Sequence, residues 1–324
     1  MAYELIAGKN TKKDYSSVTE KVELSTSRYD TPGKMTFSMV NKGLEDLQVG
    51  SIVYLKIGKV KMFKGYIFKR EDSFDGLASF TAYDQVRYLK ANASYAFVNA
   101  DLASIIKKIA RDFNLKVGDL AKTGYKFPSL IKENTGCMDI IFEALYQTII
   151  QTGKIFNFFD DYGKLALKEA KSMYTNQLIG NASLVTDYTF TQDIDSDTYN
   201  RVKLVKKNQE SGKADAYIMQ DGDTIKKWGL LQYYDEVTEN LNAAQIKLLC
   251  KQYLKYYNRI SKTISIDAIG IPGLRAGMIV PIRIKEIGDL KKTVLLLAEK
   301  VTHTFEGDSH TMSIEVKDFR NLKG

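Results

Sequence analysis

Histidine and cysteine are nearly missing from this chain, with two of each among 324 residues. Metal centres and nucleophile–base pairs draw on these side chains first, so few chemistries remain open. Cys137 and Cys250 stand far apart in helix-like patterns, which argues against a disulfide framework and for buried free thiols. His303 and His310 fall on two strands of one C-terminal hairpin, but two imidazoles without a Cys or carboxylate at ligand spacing make a poor zinc site. Neither a metal nor any other cofactor is expected. Proline is scarce too, at 4 residues, below the usual share of about 5%, so no Pro-rich linker marks a domain border. No run approaches the ~18 apolar residues of a membrane span; the longest candidate, Thr293–Ala298, reads as a buried strand. Met1–Lys9 has neither a basic segment leading into an apolar stretch nor a small-residue cleavage site. The chain is therefore expected to be made in the cytoplasm without a signal peptide and to enter no membrane.

Charge of one sign is not concentrated anywhere. The net +8 is spread as 15 basic against 11 acidic residues in 1–95, 11 against 9 in 96–175, and 21 against 19 in 176–324. Nucleic-acid binders gather Lys and Arg on one element with aromatics between them, whereas the best run here, Lys203, Lys206 and Lys207, follows Asp193, Asp195 and Asp197. No nucleic-acid specificity is expected. Those aspartates alternate like ligands of a calcium loop, yet the central Gly is missing and the twelfth position from Asp193 is Leu204. Asp160-Asp161 beside Tyr162-Gly163 is ordinary turn chemistry. With no phosphate-binding Gly loop, dinucleotide fingerprint or nucleophile-elbow serine, no catalytic residue is assigned and no enzyme is expected.

What the chain does have is length and pattern. At 324 residues, 44% of them hydrophobic and 27% charged, it exceeds the size at which one core stops growing, so several compact units are expected. Residues 1–95 read as strands: Val53, Leu55 and Ile57 alternate with Tyr54 and Lys56, and turns at Gly58-Lys59 and Asp75-Gly76 make an antiparallel meander. Residues 96–175 change period. Asn99 is placed to cap a helix with the stripe Leu102, Ile105, Ile106, Ile109, Ala110, Phe113; a second helix over Met138–Gln151 stops at Gly153, and a hairpin turns at Asp160–Gly163. Strands return over 176–207 and 262–324. Between them a helix from about Asn242 to Tyr257 marks an α+β insert over 208–261. The expected fold is α+β, predominantly β: two barrels, 1–95 and 176–207 with 262–324, and two small α+β units, 96–175 and 208–261.

A repeat links the two β units. Gly50-Ser51-Ile52-Val53-Tyr54-Leu55-Lys56-Ile57 aligns with Gly277-Met278-Ile279-Val280-Pro281-Ile282-Arg283-Ile284 at an offset of 227 residues. In each copy a long strand, a turn with Asp and Gly, and an alternating strand closed by Asp84 or Asp318 follow. Alternation turns Tyr54 and Lys56 outward in the first copy and Pro281 and Arg283 in the second.

Several phrases stand in an order that covers nearly the whole chain. They are Val49–Val53, Phe63-Lys64-Gly65-Tyr66-Ile67, Tyr83-Asp84-Gln85-Val86-Arg87-Tyr88-Leu89, Asn157-Phe158-Phe159-Asp160 through Leu165, Gly229–Gln232, Arg275-Ala276-Gly277, and Val301–Phe305 with His310–Val316. In them the chain resembles the XkdQ/YqbQ-type baseplate hub proteins of contractile phage tails, defective prophages and phage-tail-like bacteriocins. Late-control D proteins and the base of type VI secretion spikes are more remote members of that group. The resemblance implies two tail-tube-like barrels per subunit in a homotrimeric ring. Such a ring of pseudo-sixfold symmetry would adapt a hexameric tail tube to a trimeric central spike. It further implies inner baseplate partners, LysM-containing and wedge proteins, with the tape measure as a further candidate, and assembly from the bacterial cytoplasm into a virion or tail-like particle. Gly50, Gly65, Gly277, His303 and His310 then become structural positions of the barrels. The competing reading is a peptidoglycan-binding or wall-degrading tail module, because the helix Ala100–Phe113 followed by Leu115–Leu120 is faintly LysM-like.

Overall fold

The computed structural model describes residues 3–9, 11–181, 183–207, 213–237 and 241–317. The first residues of the insert, 208–212, and Asp318, named above as the close of the second repeat, lie outside the described residues. Seven strands open the chain: β1 (Tyr3–Gly8), β2 (Lys13–Asp14), β3 (Thr19–Ser27), β4 (Lys34–Val40), β5 (Ile52–Ile57), β6 (Val60–Asp72) and β7 (Leu77–Tyr83). They pair antiparallel in the order β3-β4-β7-β6-β5-β1-β2. Alternation sends one side chain in two inward, and Leu5, Leu24, Met35, Leu55, Ile67 and Phe80, one from each long strand, meet in a single core. A sheet whose every long strand feeds one interior must curl around it.

The next segment holds β8 (Asn92–Asp101), α1 (Leu102–Asp112), β9 (Val117–Leu120), β10 (Lys126–Gly136), α2 (Cys137–Thr152), β11 (Phe156–Asp160) and β12 (Leu165–Glu169). β8 pairs with β10, and β11-β12-β9 form a small mixed sheet, with the apolar stripe of α1 and most of α2 buried against them. The border drawn at 95/96 falls inside β8, whose alternating Ala93, Tyr95 and Phe97 carry no turn signal there. Asn99 is not the cap. It sits at φ 50°, and Asp101 caps α1 by accepting a hydrogen bond from Ser104 N–H at 2.8 Å. α2 ends at Gly153 in the left-handed conformation, where the sequence puts its stop.

β13 (Ile179–Gly180) and β14 (Val185–Asp193) follow, and then a second compact unit, residues 190–263. It contains β15 (Arg201–Lys207), β16 (Ala214–Gln220), α3 (Gly222–Trp228), β17 (Gln232–Val237) and α4 (Ala243–Tyr257). The strand over 201–207, assigned above to the second barrel, instead forms the centre of this unit's sheet, antiparallel to β16 and parallel to β17. Its Val202 and Leu204 pack on Ile246 and Cys250 of α4. Apolar alternation marks a strand but does not name the sheet it joins, which is why the border was misplaced. Asp221-Gly222-Asp223, turn residues by type, instead start the short helix α3, which Asp221 caps.

The chain then returns with β18 (Ser261–Ile269), β19 (Ile279–Arg283), β20 (Val294–Glu306) and β21 (Ser309–Lys317), paired in the order β14-β18-β21-β20-β19-β13. Taken in chain order, β1, β3, β4, β5, β6, β7 and β13, β14, β18, β19, β20, β21 follow the same pairing path. The likeness reaches individual bonds. Gly50 N–H donates to Ile67 O and Ile67 N–H to Ser51 O; Gly277 N–H donates to Ala298 O and Ala298 N–H to Met278 O. The preceding loops match as well, with Leu47 N–H to Leu44 O repeated as Leu274 N–H to Ile271 O. Each long strand also breaks register at the matching place, at Phe68 in β6 and at Glu299 in β20, and β6 breaks it a second time at Met62. One difference stands out: β1 runs antiparallel to β5, whereas β13 runs parallel to β19.

Candidate functional site

The two curled sheets are not separate. β20 uses Lys300–Glu306 to pair with Lys21–Ser27 of β3, seven antiparallel residue pairs that fuse both into one sheet. Phe305, a residue of the second sheet, is fully buried in the core of the first, with its ring 5.4 Å from Tyr3. Beside this seam lies a polar junction that the sequence hides, because arginine and aspartate read as surface residues. Arg28 Nη1 pairs with Glu299 Oε1 at 2.6 Å, its Nε donates to Asn157 Oδ1 at 2.9 Å, and its Nη2 donates to Tyr29 OH. Asn157 Nδ2 in turn donates to Gly277 O at 2.9 Å. Arg275 stacks on Phe159, 3.8 Å from the ring centre, and its Nη1 donates to the Asp160 carbonyl. Asp84 accepts from Gly33 N–H and Val86 N–H, and Asp160 Oδ1 from Gly163 N–H.

Burial pushes both carboxyls up, Asp160 to about 6 and Asp84 well above the usual carboxylate range, with their mutual repulsion adding to the effect on Asp84 and the Arg275 charge opposing it. Asp160 is thus more than the turn residue read above. The signal that could have exposed this junction is that Asp84, Asn157, Asp160, Arg275 and Gly277 all belong to the phrases that carry the family resemblance.

The five residues assigned as barrel positions fall into separate places. Gly50 and Gly277 hold the same turn at φ 86° and 88°. Nothing stands within 4 Å of a Cβ at Gly50, whereas at Gly277 a Cβ would lie 2.6 Å from Asn157 Cγ. Gly65, on β6, has no room either: a Cβ would lie 2.3 Å from Tyr83 O. His303 and His310 do meet. His303 Nε2 lies 2.7 Å from Leu274 O, which can only accept, so Nε2 carries the proton. Nδ1 is then an acceptor for His310 Nε2–H at 3.0 Å. Burial lowers both imidazoles, His310 to about 4, and keeps them neutral. In the first sheet Arg70 does the corresponding work, donating to Leu44 O and Leu47 O.

Chemically the arrangement offers little. Cys137 opens α2 and Cys250 lies within α4, but burial pushes both thiols up, away from the thiolate. Among the described residues no three His, Cys, Asp or Glu gather as metal ligands, and no helix is long and apolar enough to cross a membrane. The LysM-like segment supplies β9, parallel to β12.

The YQBQ-like family model matches residues 22–317. The chain belongs to this family. The YQBQ-like relatives include YqbQ of Bacillus subtilis strain 168, 34% identical over 312 residues and covering 94% of each chain. XkdQ of the phage-like element PBSX, from the same organism, is 34% identical over 307 residues and 92% of each chain. Among solved structures, the 43 kDa tail protein of prophage MuSo2 from Shewanella oneidensis shares the fold, with a TM-score of 0.71 over 97% of this chain and 98% of that one at 14% identity. The YQBQ-like chain described here thus has the predominantly β fold of prophage tail proteins, as the sequence led one to expect.

Proposed function

We propose that this chain is a structural baseplate hub of a contractile phage tail or tail-like particle, working by shape and packing without catalysis. One observation carries the reading: a single chain contains the same six-strand path twice, down to the Gly50 and Gly277 turns and the register breaks at Phe68 and Glu299. Three copies, each with two such sheets, supply six similar modules around a threefold axis. That is the device needed to seat a sixfold tail tube on a threefold spike. Gly50, Gly65, Gly277, His303 and His310 serve as structural positions that keep the two sheets in shape. The partners are two further copies, the tube protein, the central spike and the inner baseplate proteins. Electron microscopy of the assembled particle tests it: three copies per ring are expected at the tube–spike junction, while six copies per ring or a place on the outer sheath would sink the reading. A purified chain that is retained on peptidoglycan would instead favour a wall-binding module.

A further inference from the structure

The joint between the two sheets within one chain implies a second joint that one chain cannot make. In the first, the outer edge of β20 takes up β3, and Phe305 enters the neighbouring core beside Tyr3. The repeat relates β20 to β6 and β3 to β14. Ile52 pairs with Tyr66 as Ile279 pairs with Leu297, so Lys300 corresponds to Lys69 and Phe305 to Phe74. β6 past the bulge at Phe68 pairs on one side with β7, and its pairing with β5 ends at Tyr66, so Lys69–Asp72 offers an edge that no described strand covers. β14 ends the path of the sheet at the other extreme. Phe74 projects from the β6–β7 turn with its full surface exposed, 109% against 0% for Phe305.

We infer that β6 and Phe74 of one copy dock on β14 and the second curled sheet of the next copy, repeating between chains the joint that β20 and Phe305 make with β3 within the chain. The inference rests on the hub reading and deepens it by assigning the ring's inter-subunit contact. The contact is heterologous: every copy offers one β6 edge and one β14 edge, so a ring closes with none left over. An exposed strand edge and an exposed aromatic, each a liability in a lone chain, are both consumed. The contact is shorter than its counterpart, because β6 ends at Asp72 whereas β20 runs on to Glu306, so it leans more on the aromatic anchor.

The experiment uses the full chain, with mass in solution measured by light scattering. Set end to end with the nine residues of β3, β14 places Gln192 one position before the place of Ser27, next to the residue that would face Lys69 of the neighbour. Lys69→Cys with Gln192→Cys should give disulfide-linked dimers and trimers on a non-reducing gel, and neither single variant should. Phe74→Glu should weaken the trimer by roughly tenfold or more while leaving the thermal melt of the diluted monomer unchanged. A wild-type trimer that neither cross-links nor responds at Phe74 would overturn this contact and leave the ring reading standing. A wild-type chain that is monomeric at all concentrations would overturn the ring itself.

Discussion

Gly50 and Gly277 share one backbone conformation and differ in one contact, so they separate strain from crowding. Gly50→Ala puts a side chain at φ 86° in open space and should cost about 1 kcal/mol. Gly277→Ala meets Asn157 as well, and Asn157 is held by Arg28 and by the Gly277 carbonyl. Its loss should exceed that of Gly50→Ala by about 1 kcal/mol or more. Equal denaturation midpoints for the two variants would mean that Asn157 yields freely. The imidazole pair makes a prediction in pH. His310 falls from an ordinary 6.5 to about 4 through burial, with the His303 charge a lesser cause. Between these values the unfolded chain binds more protons, so its contribution is complete above about pH 6.5 and is lost as pH falls towards 4, roughly 2 kcal/mol once solvent screening of the half-covered ring reduces the full effect. Asp160 works with the opposite slope. Its pKa is raised to about 6, so its contribution is present at low pH and fades as pH rises through that value. The test is therefore a difference. The stability of wild type minus that of His310→Gln should shrink on going from pH 7 to pH 4, and a difference that stays constant would show that His310 is already protonated in the fold or never buried.

At the scale of elements, residues 190–263 form a unit whose fully buried core, among the described residues, is little more than Val202, Leu204, Ile246 and Cys250. A core that small supports only modest stability. The chain's single tryptophan, Trp228, lies in α3 of this unit, so its fluorescence reports there and nowhere else. Urea unfolding followed by Trp228 should precede the main far-ultraviolet dichroism transition; coincident curves would mean that the unit unfolds with the rest in one step. What could be read in advance follows the same scale. The period-two runs of β5 and β19 and the stripe of α1 are local patterns, and the sequence shows them directly. The partner of β15 is not local: Val202 and Leu204 satisfy a barrel and an insert sheet equally well. Nor does any local pattern show the junction, since nothing near Arg28 or Asp84 in sequence says that Glu299 or Arg275 will arrive from the other end of the chain; only the family phrases hinted at it.

At the scale of the whole molecule, duplication gives one chain two like sheets without making them identical, which in the proposed trimer becomes six like modules, and the outward faces show how much likeness survives. Tyr54 and Pro281 are repeat partners, yet Tyr54 is half-buried beside Tyr162 while Pro281, expected to face outward, is buried in a strand whose neighbours Ile279 and Leu297 pack against Ala170. The chain has covered one face of the second copy with its own residues. The next outward pair is better matched: Lys56 and Arg283 are both basic, and neither is buried. If both curled sheets present themselves to the same tube ring, a reversed charge at either place should disturb docking similarly. On a surface that touches nothing, each change should alter stability by less than about 0.5 kcal/mol. In an interface, a like-charge or unpaired contact costs several kcal/mol, on the scale of such juxtapositions. Lys56→Glu and Arg283→Glu should therefore leave the melting curve of the purified chain in place and reduce, to a comparable extent, the number of complete tails counted in micrographs of a strain carrying each variant. Loss with one variant only would mean that a single sheet per subunit meets the tube, which leaves three docking sites where the adaptor reading requires six.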